Sequence, residues 1–156
     1  MPGGDPSGVL QSAVYAALLA ADWPNDVLGA GTLTDPVRVF DTPIPTQTNG
    51  QQITGNITPA FPYLQIGDAQ VIGDFADCID GSDVFFDVHV WSRTTSLLEA
   101  KTLGSVVRQT LHEAGLTLPG FTLTGLAFTD ARYLRDADVI TKHGVLTFRA
   151  MISAAS

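Results

Sequence analysis

The sequence predicts an α+β fold, a mainly antiparallel sheet with two principal helices packed on one side. Three observations predict it. Residues 83–93 alternate, with Val84, Phe86, Val88 and Val90 on one face of an extended chain and Phe85, Asp87, His89, Trp91 and Arg93 on the other. A helical pattern follows at once, since Ala100, Leu103, Val107, Leu111 and Ala114 recur along one face. Strand patterns otherwise lie next to one another, interrupted by that one long helix, which favours antiparallel pairing over repeated parallel crossovers. The 156 residues fit one domain, 1–156, long enough to bury roughly two thirds of the surface of the unfolded chain.

In chain order, residues 1–6 are small and Gly/Pro-rich and read as a flexible arm. Ser7 is placed to cap a helix whose inner face carries Leu10, Ala13, Val14, Ala17, Leu18 and Ala21, with Trp23-Pro24 ending it. Residues 25–36 read as loop, and 37–40 as a short strand broken by Asp41 and two prolines. Residues 42–60 are polar and hold three prolines. Asn49-Gly50 is the favoured pair for a tight hairpin turn between 46–48 and 51–53. The segment exceeds the ordinary length of a structureless connection, so it reads as a surface loop or as a finger that orders on a partner. Residues 61–68 alternate as a strand with Pro62 at its start, and 69–73 extend it past a bend.

Asp74, Asp77, Asp80 and Asp83 surround a turn containing Gly81-Ser82. Their spacing lacks the alternating oxygens and distant Glu of a calcium loop, so they read as a solvated turn. Ser96 and Glu99 have the spacing of a capping box, which starts the second helix at Ser96, and Gly115 offers a left-handed stop. Residues 121–133 form a long strand. Its apolar parity changes at Gly125, from Phe121 and Leu123 to Leu126 and Phe128, and a bulge there would explain it. A charged turn at 134–138 precedes a closing strand, 144–152, that buries Leu146, Phe148, Ala150 and Ile152.

Composition narrows function. A formal charge of -8 argues against a sequence-independent nucleic-acid clamp, which gains its affinity from Lys and Arg on phosphates. A surface that DNA slides past is compatible with it, because carboxylates repel the backbone and let it move. Cys78 is the single cysteine, which rules out an intrachain disulfide and a cysteine-based metal site made by one chain. The apolar run 9–21 follows Asp5 and Pro6 rather than basic residues, so it reads as a helix and not as a signal peptide. Asn56-Ile57-Thr58 matches a glycosylation acceptor by chance in that setting.

Asp87 and His89 share a strand face, so a carboxylate could orient an imidazole, half of a small hydrolase site. The other half is missing: the sequence has no Gly-x-Ser-x-Gly elbow and no convincing Ser or Cys nucleophile. His112 and His143 match no metal-binding spacing, and His112 reads as a charge near a helix C-terminus. No phosphate-cradling glycine loop is present, so no cofactor is expected. Arg132, Arg135, Lys142 and Arg149 form a modest basic group around a turn, useful against an acidic neighbouring subunit. The residues alone therefore point to an acidic α+β domain with a binding or assembly role.

Several stretches resemble a family of small phage tail-completion proteins, the tail terminators of long-tailed phages and of phage-like gene transfer agents. They are the opening helix at 10–18, Phe61-Pro62-Tyr63 with Ile66-Gly67, and His89-Val90-Trp91-Ser92-Arg93 followed by Glu99-Ala100. Tyr133-Leu134-Arg135-Asp136 and residues 143–150 complete the set. Residues 42–60 are longer than the short link of that pattern. The resemblance implies a structural protein, not an enzyme, whose six copies form a ring that caps the tail tube and joins it to the neck of a phage or phage-like particle.

The partners so implied are further copies of the chain, the tail tube protein, a neck or stopper protein, and DNA passing through the lumen without specific binding. Trp91, Arg93, Tyr133, Arg135 and Asp136 are the expected subunit contacts, and Asp74, Asp77, Asp80 and Asp83 the expected lumen residues. Asn49 and Gly50 mark a partner-contact loop. Another head–tail connector, a hydrolase using Asp87 and His89, and a monomeric ligand-binding domain are the competing readings.

Overall fold

The computed structural model describes residues 4–41, 47–48, 51–52, 61–74 and 80–155. The chain runs through α1 (Ser7–Ala20), a short 3-10 turn (Pro24–Asp26), β1 (Val39–Phe40), β2 (Gln47–Thr48), β3 (Gln51–Gln52), β4 (Tyr63–Asp74), β5 (Gly81–Arg93), α2 (Leu98–Leu111), β6 (Phe121–Arg135) and β7 (Thr141–Ala154). Five strands make one sheet in the order β1-β4-β5-β7-β6, antiparallel except for the parallel pair β1 and β4. Both helices pack on the same face of that sheet, the α+β arrangement expected from the sequence.

The alternation in β5 decides which face is covered. Val84, Phe86, Val88 and Val90 are buried, and so are their partners on β7, Leu146, Phe148 and Ala150, together with Ile152. From α2 come Ala100, Leu103, Gly104, Val107 and Leu111, and from α1 Leu10, Val14 and Leu18. Removing a side chain of this size from water stabilises the fold by about 1.5–3 kcal/mol. Trp23 closes the end of α1, buried, with its indole N–H donated to the Leu18 carbonyl at 2.9 Å.

Several local expectations change. Ser7 is the first residue of α1 and does not cap it: the N-cap is Pro6, which has no side-chain bond to offer, and the Ser7 N–H is instead accepted by Asp5 Oδ1 at 2.8 Å. At α2, Ser96 Oγ does accept the Leu98 N–H at 3.2 Å, but Glu99 does not return to close a capping box. Its carboxylate accepts the Ser92 hydroxyl at 2.6 Å. Ser92 is fully buried and has no water to turn to, whereas a helix start at the surface does, so the buried hydroxyl wins the carboxylate. The left-handed residue after α2 is Glu113 (φ 60), not Gly115; its N–H is captured by the Leu126 carbonyl at 2.8 Å. His112 Nδ1 accepts the Phe128 N–H at 3.0 Å, so the ring ties α2 to β6.

Gly81 and Ser82 belong to β5 and pair with β4 and β7 instead of forming a turn. The closing strand starts at Thr141, before the expected 144. The parity change in β6 is a register shift between Leu123 and Gly125, as the bulge reading requires, and a second shift lies between Phe128 and Asp130. β2 and β3 pair antiparallel, Thr48 opposite Gln51, as the expected hairpin requires. Asn49, Gly50, Asp77 and Cys78 lie outside the described residues, as do 1–3 of the expected arm and most of 42–60.

Candidate assembly surface

With both helices on one face, the other face of β4, β5 and β7 has no described element lying over it. Cross-strand register sets what it displays. Tyr63 on β4 stands opposite Trp91 on β5, and Trp91 stands opposite His143 on β7. Directly opposed side chains on neighbouring strands are close enough to touch, so the rings form a ladder. Trp91 and His143 stack at 3.8 Å between centroids and 9° between planes. Tyr63 lies 6.2 Å from Trp91 on the other side, with Phe61 5.2 Å and Phe40 5.9 Å from Tyr63. The Arg93 guanidinium sits 4.5 Å over the Phe61 ring, a cation held on an aromatic face. Trp91 Nε1 donates to Gln65 Oε1 at 3.2 Å, which fixes the indole orientation.

His89 and His143 face each other with Nδ1 and Nε2 2.6 Å apart, close enough that a single proton lies between them. Burial, then the neighbouring His89 ring, holds His143 down at about 4, with Asp136 opposing and Arg132 assisting. Burial likewise lowers His89, against the pull of Asp87 and Asp68. The pair is neutral at pH 7. Gly67 makes the arrangement possible, because a Cβ there would lie 2.6 Å from His89 Nε2. Tyr63 is buried and its hydroxyl is pushed upward for the same reason, with Arg93 opposing. Together these groups form a stiff aromatic surface with an Arg at its edge, the composition that carries binding energy at protein interfaces.

The same geometry dismantles the expected Asp87–His89 pair. Asp87 Oδ1 accepts the Thr147 hydroxyl at 2.8 Å, and the His89 nitrogen facing a partner faces His143. His143, which matches no metal-binding spacing in the sequence, lies at the centre of the cluster. Only the β5–β7 register reveals this. Among the described residues no group of three or more His, Cys, Asp or Glu side chains is arranged to hold a metal.

The other predicted site residues divide. Trp91 and Arg93 lie on the uncovered face, and Asp136 stands near enough to act on His143 and Tyr63. Tyr133 pairs with Gly144 and is turned under α2; a Cβ at Gly104 would collide with its hydroxyl, and burial raises its pKa against the effect of Arg108. Arg135, opposite Lys142 on the helix side, is exposed. The basic group does not hold together: Lys142 is buried, with Nζ donating to the Val139 and Ile140 carbonyls, and Arg149 lies far along β7, bonded to Asp83 at 2.7 Å. Asp83 therefore carries a paired charge. Asp80 accepts the Ala154 N–H through its backbone carbonyl at 2.9 Å, and Asp74 ends β4.

At the far end of β6 and β7, residues 136–140 make a tightly determined turn. Asp138 Oδ1 accepts the Ile140 and Thr141 N–H groups at 3.0 and 2.8 Å, and Oδ2 accepts the Thr141 hydroxyl at 2.7 Å. Those bonds from Thr141 hold the Asp138 carboxyl below its ordinary range. The turn keeps Val139 at φ 66, a conformation costing a β-branched residue about 1–3 kcal/mol.

Comparison with known proteins finds similarity at the level of family, sequence and structure. A family model described as tail completion protein gp17 matches residues 52–153. That span contains β4, β5, α2, β6 and all but the last residue of β7, hence every member of the aromatic ladder except Phe40. The tail completion protein gp17 of Bacillus phage SPP1 is 32% identical over 93 residues, covering 60% of this chain and 69% of its own. A chain of the solved virion of a native gene transfer agent particle superposes with a TM-score of 0.74 at 26% identity, over 97% of this chain and 100% of the other.

Proposed function

The chain belongs to the tail completion protein gp17 family, and on that premise we propose that six copies of it close into a ring that caps a tail tube and connects it to the neck of a phage or a phage-like gene transfer particle. One observation carries the reading beyond the family: the one-sided sheet, whose part-exposed Trp91 and His143, backed by the buried Tyr63, have no described element over them. A face so rich in aromatic side chains calls for a protein partner.

Each copy acts as a single domain, made in the bacterial cytoplasm and ending at the tail–neck junction. Its neighbours contact it through Trp91, Arg93, Arg135 and Asp136, with Tyr133 supporting the β6 end from beneath. Contacts of this kind are head-to-tail, and they make a ring when the rotation between copies closes. Ring closure limits the number of copies, and a ring seated on the tube presents a different outer surface, so no further tube subunit adds. Asp74, Asp77, Asp80 and Asp83 are assigned to the lumen in this reading, where negative charge keeps DNA sliding without adhesion. The segment that contains Asn49 and Gly50 is assigned to contact with the tube or the neck protein.

The test is to add the chain to its assembling tube protein and image the product by electron microscopy. Tubes of defined length ending in a ring are expected. Tubes whose lengths and ends are unchanged by the chain would refute the reading, and binding to the portal side alone would make it another head–tail connector.

A further inference from the structure

The β6–β7 tip exposes apolar side chains, and a groove elsewhere on the same chain is lined largely by apolar ones. Val139 and Ile140 project from the tip at 70% and 61% exposure, with Leu134 behind them. The Asp138 and Lys142 hydrogen bonds hold them there with little freedom to lose on binding. The groove, about 430 Å³, lies between the Pro24–Asp26 turn and the start of α2, lined by Pro24, Val27, Thr94, Leu98 and Leu103. Leu98 is 70% exposed in it although it stands in the first turn of a helix. A rigid apolar knob and an apolar groove are both left open to water.

Their placement matters as much as their chemistry. The tip continues from Thr141, which pairs with Arg93, and the groove includes Thr94 and Ser96 just after Arg93, so both lie at one end of the sheet. Laterally they diverge. The tip belongs to β7 and β6, at one edge of the strand order. The groove's Pro24–Val27 wall is tied to the other edge by Arg38, whose guanidinium donates to the Val27 carbonyl at 2.7 Å and the Pro62 carbonyl at 3.0 Å. A knob and groove at the same height on opposite edges is what a closed ring requires, because a difference in height would generate a helix of subunits. Arg132 and Arg135 are exposed beside the tip without an ion pair among the described residues, next to Asp136 and Asp138, and Asp22 and Asp26 are exposed beside the groove, so the two arginines are the cations that would meet those carboxylates.

We infer that the β6–β7 tip of one copy, led by Val139 and Ile140, seats in the groove of the next copy between Pro24 and Leu98. The inference rests on the ring reading above and specifies the contact that closes it. The test uses the full chain with Cys78→Ser, Ile140→Cys and Leu98→Cys, oxidised and run without reductant, beside each single cysteine variant. A ladder of covalent oligomers up to six is expected from the pair and only dimers or monomers from the single variants.

An Ile140→Asp chain should keep its thermal midpoint, since the side chain is largely in water, and lose roughly tenfold or more in self-association by sedimentation. Rings seen by electron microscopy without the ladder, and undiminished by Ile140→Asp, would overturn the contact and leave the ring reading standing. A ladder running past six into filaments would keep the contact and overturn the ring. A native chain that forms no oligomer, alone or on tube ends, would overturn both.

Discussion

The two faces of the sheet are made by the same strands and follow opposite rules. On the helix-covered face β5 and β7 present Val84, Phe86, Val88, Leu146 and Phe148, interchangeable in chemistry and constrained only by volume. On the uncovered face the same strands present Trp91, His89 and His143, each in a fixed orientation set by a stack or a hydrogen bond. The first face holds the fold together, and the second is too ordered and too aromatic to be merely solvated. Substitutions on the first should damage stability, and on the second, assembly.

The largest effect belongs to the covered face. Phe148 is fully buried between Phe86 and Phe128, and Phe148→Ala should cost about 3–5 kcal/mol in urea unfolding. Next comes the close approach of α2 to Tyr133. Gly104→Ala forces a methyl group onto the Tyr133 hydroxyl and should cost about 1–3 kcal/mol, partly restored by adding Tyr133→Phe. If Gly104→Ala is silent, α2 does not sit as closely on β6 as described.

The uncovered face responds to pH. His143 is held at about 4 and His89 below the ordinary value of 6.5, so as pH falls the unfolded chain takes up protons before the folded one. Stability rises with pH wherever the unfolded state binds more protons. It should be complete above pH 6.5 and be lost progressively from there towards about 4. His143→Asn should flatten that slope in thermal melts taken across the window. An unchanged slope would mean that His143 is not the group whose protonation the fold suppresses.

How much of this was legible depends on the range of the interaction. The covered face was readable because a period of two in residues 83–93 and 144–152 and a helical period in 100–111 each mark burial locally. The Gly125 bulge was readable for the same reason, as a break in that period. The shift near Thr129 was not, because Asp130 and Ala131 follow it without an apolar alternation to disturb. His143 could not be joined to Trp91 from the chain alone, since one residue of register between β5 and β7 would send it to the other face. Glu99 was misassigned because the helix start was visible in the sequence and the buried Ser92 hydroxyl was not.

The smallest expected effect on stability accompanies the largest on assembly. Trp91 is only part-buried, and Trp91→Ala should remove its stack on His143 for about 1 kcal/mol, read as a small shift in the urea midpoint. The decisive measurement is tube capping by that folded variant, scored in electron micrographs beside the native chain and Phe86→Leu as a covered-face control. Capped tubes are expected with the native chain and the control, and uncapped tubes of uncontrolled length with Trp91→Ala. Equal capping by all three would contradict the assignment of the uncovered face to assembly.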